Sequence, residues 1–206
     1  MALNKRIGTL TVFLVLEFAI SAFAQDKPRF VAYPSDSSER GTSRVLYWDG
    51  MKNRGAGQVA IDYGRPAWKK AYENEGLFDS MTKGKTWRLG SNFWTELNND
   101  MPLTIVGRPV AAGQWFLGVH RSDDGSKWSL VFIDPAKIRS SNIDASEIGR
   151  APVEFEVPLT MEKQGEIKDK LTIDLVYQNP NNLDVILKIS WGNFSLNAPV
   201  KVPERS

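Results

Sequence analysis

Residues 115–133 read WFLGVHRSDDGSKWSLVFI. Trp115, Leu117 and Val119 alternate with Phe116, Gly118 and His120, and after the turn residues Ser122–Ser126 the same period resumes, with Trp128, Leu130 and Phe132 set against Ser129, Val131 and Ile133. A period of two on both sides of an Asp-Gly turn is the pattern of a β-hairpin. Both faces are apolar over much of their length, so these two strands are expected to be central, covered on either side.

Strand patterns continue outward from this hairpin. Downstream, Val153, Phe155 and Val157 alternate with Glu154 and Glu156, and three further runs follow at 171–177, 183–191 and 194–202. Gln178-Asn-Pro-Asn-Asn182 and Trp191-Gly192-Asn193 read as turns between antiparallel neighbours. Residues 134–152 lose the period and read as a long excursion with a helical turn around Pro135 to Ile138. Upstream, Val59, Ile61 and Tyr63 form a half-buried strand that Arg65-Pro66 ends, because proline cannot continue a ladder. Strands are also expected at 86–89, 93–98 and 103–106, with an edge strand at 45–48. Residues 67–81 hold either a short helix, with Trp68, Ala71 and Tyr72 at helical spacing, or an irregular loop. The sum is an all-β, antiparallel β-sandwich of jelly-roll type with at most one or two short helices.

The N-terminus has a different character. Lys5 and Arg6 precede an apolar run from Ile7 to Ile20 and then Ala22-Phe23-Ala24, the order of a secretory leader. Residues 1–24 are therefore expected to be a signal peptide, 25–55 an N-terminal arm with an edge strand, and 56–203 a single β-domain. An uncleaved anchor is the competing reading; the run is too short for a good membrane span and contains Glu17. The expected place is the periplasm or the extracellular space, with no stable membrane span after cleavage. The chain has no cysteine, so thiol chemistry and disulfides are excluded. Its 26 basic and 24 acidic residues give a formal net charge of +2, which leaves no footprint for nucleic acid.

Motifs in the same order resemble the bacterial exported family called domain of unknown function 2911. They are IDYGRP (61–66), WRLGSNFWT (87–95), VGRPVAAGQWFLGV (106–119), WSLVFI (128–133) and LKISWG (187–192). The resemblance covers about residues 56–202. Its most specific parts are Arg65-Pro66 and Trp87-Arg88-Leu89-Gly90. Lys70 stands where the family pattern has glycine, and the segment between Pro66 and Trp87 is longer by a few residues. The resemblance implies export and a β-sandwich and carries no activity.

Chemistry-bearing residues are sparse. His120 is the only histidine and reads as a structural residue. A triad would need a serine that no G-x-S-x-G segment supplies. Asp123-Asp124-Gly125-Ser126 lacks the spaced ligands of a calcium loop and reads as the hairpin turn. No catalytic residue, cofactor or metal ligand is nominated. The remaining concentration is at strand ends between Ile61 and Thr95, where arginine stands beside aromatic rings. Arg65, Trp68, Trp87, Arg88, Asn92 and Glu96 form the candidate binding set, suited to a glycan, peptide or small anion. The competing reading of the arginines is a clasp onto Asp62 or Glu96. The other three tryptophans of the β-runs, Trp115, Trp128 and Trp191, read as core.

Two functions of different class follow. The first is a non-catalytic exported binding or structural domain, a purely structural partner of another envelope protein being its extreme form. The second is a hydrolase acting on glycans through carboxylates among Asp62, Glu73, Glu75, Asp79 and Glu96, which would need two acids flanking a cleft. The leader reading has a direct check: mass spectrometry of the exported protein should give a chain beginning at Gln25, and an intact Met1 in that fraction would refute it.

Overall fold

The computed structural model describes Ala32 and residues 39–177 and 184–202. The expected leader (1–24), the rest of the arm up to residue 38, and the expected turn at 178–182 lie outside the described residues.

Among the described residues, ten strands hydrogen-bond into one antiparallel sheet. They are β1 (Arg40–Asp49), β2 (Arg54–Gly64), β3 (Lys85–Arg88), β4 (Thr95–Asn99), β5 (Leu103–Ile105), β6 (Arg108–Val110), β7 (Gly113–Arg121), β8 (Trp128–Ile133), β9 (Val153–Tyr177) and β10 (Asp184–Lys201). Two short helices, α1 (Glu75–Thr82) and α2 (Pro135–Ser141), are accompanied by 3₁₀ turns at Lys70–Glu73 and Ala145–Arg150. The strand order is β1-β2-β4-β7-β8-β9-β10-β5-β6, with β3 also paired to β7. The all-β, antiparallel expectation therefore holds, and the central hairpin is β7–β8, with Phe116 opposite Ile133 and Arg121 opposite Trp128. One edge of β7 is shared end to end, residues 113–117 by β4 and 118–121 by β3.

Both faces of β7 and β8 are covered, as their sequence implied. Leu117, Val119, Leu130 and Phe132 join the main core with Ile61, Leu97, Val157, Ile173, Leu187 and Leu196. On the opposite face Phe116, Val131 and Ile133 pack with Trp94, Ile138, Ala145 and Ile148. The 134–152 excursion is thus the cover of the second face.

Two expectations are corrected. Residues 158–170 do not break the strand: β9 runs through 25 residues, pairing with β8 up to Leu159 and with β10 from Thr160 onward. Trp191-Gly192-Asn193 is likewise a bulge inside β10 and not a turn between two strands, since the register with β9 shifts on either side of Gly192. Two residues, Val106 (φ 49°) and Gly107 (φ 77°), form the tight turn of a β5–β6 hairpin that the sequence reading passed over. A β-branched residue is rare at positive φ, so nothing at Val106 signalled it. In the 67–81 segment the helix is real but later than the Trp68-Ala71-Tyr72 spacing suggested. Asn74 caps α1 by accepting from Leu77 N–H at 2.9 Å, and Glu75 complements the positive end of the helix.

Gly192 has φ 62°, and a Cβ there would lie 2.5 Å from the Trp68 ring. That ring is wedged against Trp191, Tyr72, Phe78 and Phe194 and has no room to retreat. Gly192→Ala should cost about 2–4 kcal/mol, from positive-φ strain plus overpacking, read as a lower urea midpoint at unchanged slope.

Candidate functional site

The second-face cover is built by local rules. Asp134 caps α2 by accepting from Ala136 N–H at 2.7 Å, and Pro135 opens the helix. Asn142, left-handed at φ 51°, closes it. Two residues on, Asp144 starts the 3₁₀ turn in a capping box with Glu147. Ile138, Ala145 and Ile148 turn inward onto the β7–β8 face, leaving Arg139 and Asn142 exposed.

Between this cover and the β3–β4 loop lies a cleft of about 430 Å³. Asn92, Phe93 and Trp94 form one wall, Ile138 to Ala145 contribute the other, and Phe116 lies beneath. Trp94 and Phe116 stack with centroids 4.7 Å apart and planes 4° from parallel. Phe93 stands out, 73% exposed. Asn92 is left-handed, φ 67°, and its carbonyl accepts from Arg88 Nη1 at 3.1 Å. Asp144 accepts from the Ser146 hydroxyl at 2.5 Å and from its N–H at 2.9 Å. These bonds, hydroxyl first, hold the Asp144 carboxyl below the usual carboxylate range, with a smaller contribution from Arg88. The guanidinium of Arg139 has no ion pair or hydrogen bond among the described residues. The cleft therefore offers aromatic surface, a cation that is unpaired among the described residues, amide groups from Asn92 and Asn142, and an anchored carboxylate.

The six residues singled out from sequence are dispersed among four environments. IDYGRP and WRLGSN do meet, and closely: a Cβ on Gly64 would overlap the Ser91 carbonyl oxygen, so only glycine allows the two backbones to touch there. Their side chains then go different ways. Arg65 is a clasp, with Nη1 to Glu39 at 2.7 Å and Nε to the Leu171 carbonyl at 3.2 Å. Its carboxylate partner is Glu39, where the sequence reading had suggested Asp62 or Glu96. Trp68 and Trp87 share Trp191 as a neighbour, at 5.1 and 6.0 Å, beside the main core. Arg88 and Asn92 stand together at the cleft. Glu96, opposite Asp62 on β2, accepts from Gln114 at 2.9 Å. His120 Nδ1 is 3.0 Å from Thr86 Oγ1, and Asp124 binds Ser122 and Ser126 within its own turn.

The sequence reading missed Arg139, Asn142 and Asp144. Asp-Pro at 134–135, Asn142 and the Asp144-x-x-Glu147 box were the available signal, and they would have turned an excursion into two helical turns with an outward face.

The family described as "Protein of unknown function (DUF2911)" matches residues 49–200. The chain belongs to that family. No curated protein and no solved structure matches it. The matched span takes in every cleft residue and leaves out Glu39, the partner of Arg65 in this chain.

The Glu39 clasp gives a pH test. Lys170, which hydrogen-bonds the other Glu39 oxygen, and then Arg65 lower the Glu39 pKa below its ordinary 4.5. A lowered folded-state pKa means that the clasp stabilises fully above the ordinary value and loses this as pH falls through the lowered one. Wild type should therefore lose more stability than Glu39→Gln between pH 5 and pH 3 in parallel denaturant titrations; identical slopes would show the clasp to be idle.

Proposed function

We propose that the chain is an exported, non-catalytic binding module whose cleft takes a carboxylate-bearing glycan. One observation carries the reading: Arg139 is uncommitted among the described residues, at the rim of a cleft that also presents the exposed ring of Phe93. Sugar C–H faces stack on such rings, and a guanidinium pairs with a planar carboxylate in two parallel hydrogen bonds. Asn92, Asn142 and the ionised Asp144 supply donors and acceptors for hydroxyl groups. Export rests on the leader pattern of residues 1–24, and a glycan of the envelope is the ligand class that such a protein would meet.

Hydrolysis has less support. Asp62 and Glu96 face each other on adjacent strands, but Asp62 is occupied by Arg40 and by Thr42, the latter at 3.1 Å, and Glu96 by Gln114. A general acid and its partner need freedom to exchange protons with substrate and water, and these groups serve the sheet instead.

Calorimetric titration with a glucuronate-terminated oligosaccharide and its neutral glucose counterpart tests the proposal. The acidic sugar should bind at least about tenfold tighter, a difference that one good charge-assisted pair supplies. Arg139→Ala should abolish that preference, and Phe93→Ala should weaken both sugars, with melting temperatures unchanged because both side chains are exposed. Equal affinity for the two sugars, or no change in Arg139→Ala, would overturn it.

A further inference from the structure

The β1–β2 hairpin ends in a feature that the cleft does not use. Leu46 is 72%, Trp48 65% and Met51 96% exposed. Arg44, Lys52 and Arg54 lie exposed beside them. Trp48 is uncovered for a local reason: its cross-strand neighbour is Gly55, which has no side chain to lay over the indole. A recess of about 500 Å³ opens there, between Leu46, Trp48, Gln58 and Asp100. The tip itself is firmly shaped, since Asp49 accepts from Met51 and Lys52 N–H at 3.1 and 3.0 Å. Asp100 is also engaged, accepting from Gln58 N–H at 3.2 Å.

We propose that this tip docks onto an anionic lipid bilayer. Leu46, Trp48 and Met51 enter the boundary between headgroups and acyl chains, and Arg44, Lys52 and Arg54 face the lipid phosphates. Tryptophan beside aliphatic side chains and a basic fringe is the composition that settles at a membrane–water interface. Between Arg44 and Arg54 three cations stand against one acid, Asp49, and each cation near an anionic surface adds attraction. The same charge argues against a second copy as the occupant, because a two-fold contact through the tip would set like cations face to face. No helix among the described residues is long and apolar enough to cross a membrane; the contact proposed here is made by a hairpin.

The chain contains no cysteine, so a single introduced thiol can carry an environment-sensitive nitrobenzoxadiazole label on the full-length protein. Met51→Cys reports the tip, and Glu162→Cys, on an exposed part of β9, is the control for a response that is not confined to the tip. With phosphatidylglycerol vesicles the label at 51 should brighten severalfold and shift to the blue, while the label at 162 stays unchanged. Phosphatidylcholine vesicles should have little effect at either position. Adding Leu46→Ser and Trp48→Ser to Met51→Cys should abolish the response. Adding Lys52→Gln and Arg54→Gln should raise the lipid needed by at least about tenfold. The proposal falls if the label at 51 is silent with phosphatidylglycerol, if both positions respond alike, or if brightening at 51 follows protein concentration without lipid, which would assign the tip to a second copy.

Discussion

The structure depends on one strand serving two partners in turn. β9 gives its first residues to β8 and the rest to β10, so the two parts of the strand path cannot separate without breaking a continuous backbone. Because the strand is continuous, Val157 and Leu159 from its first part share a core with Leu171, Ile173 and Leu175 from its second. The handover is not smooth. Phe194 pairs with Lys163 and Gly192 with Lys168, so residues 164–167 of β9 face a single residue of β10, a local excess of the kind that bends a strand. The edge of β9 away from β10 is also partly occupied: Trp68 N–H reaches the Asp169 carbonyl at 2.6 Å, Leu171 N–H the Pro66 carbonyl at 3.0 Å, and Leu175 N–H the Ser43 hydroxyl at 2.8 Å. An edge filled in this way offers little template for pairing with another chain.

That edge contact explains the irregular segment after β2. Pro66 stops the ladder, and the chain then runs along β9 and delivers Trp68 to the bulge at Gly192. Trp68, Trp191 and Phe194 form a ring cluster that Phe78 of α1 joins. Arg121 holds α1 in place, bonding Asp79 at 2.7 Å and Thr82 at 2.8 Å while lying 5.1 Å above the Trp128 ring. The packing has a cost: among the described residues, Nε1 of Trp68 and of Trp87 is buried without a hydrogen-bond partner. Each such group forfeits about 1–3 kcal/mol, which the contact area of these large rings offsets.

Strand type was legible wherever residues alternated, and the doubly apolar β7–β8 pair correctly implied two covered faces. Strand ends were legible only where a special residue marked them, as Pro66 does. Gly192 misled because a glycine flanked by tryptophan and asparagine looks the same whether it turns the chain or bulges within it; the difference lies in Trp68, 124 positions away in sequence, which occupies the space over the glycine. The arm before residue 45 lacked a period, yet from Arg40 it forms β1, since pairing with a regular β2 supplies the order that its own pattern does not. In the candidate site, the motif residues were visible and their grouping was not. Side-chain direction beyond the close backbone contact of Gly64 with Ser91 is a property of the fold, and Arg65 and Arg88 diverge for that reason.

The arginines sort by what already holds them. Arg40 is committed to Asp62 and the Trp94 carbonyl, Arg65 to Glu39 and β9, and Arg121 to Asp79, Thr82 and the Gly125 carbonyl. Each joins segments distant in sequence, and the carboxylates of Glu39 and Asp79 are held by a second cation as well, Lys170 and Lys83. Arg88 is intermediate, spending one nitrogen on the Asn92 carbonyl. Arg139 spends none among the described residues, although Glu147 lies eight residues away and prefers Arg150 at 2.5 Å. Arg44 and Arg54 are likewise unpaired among the described residues, but they lie on the β1–β2 hairpin; Arg139 stands unpaired at the edge of an aromatic cleft, where, on the proposed function, an incoming anion accounts for it. Selection on the α2 cover would then act on its outward residues as well as on the inward Ile138, Ala145 and Ile148 that close the second face.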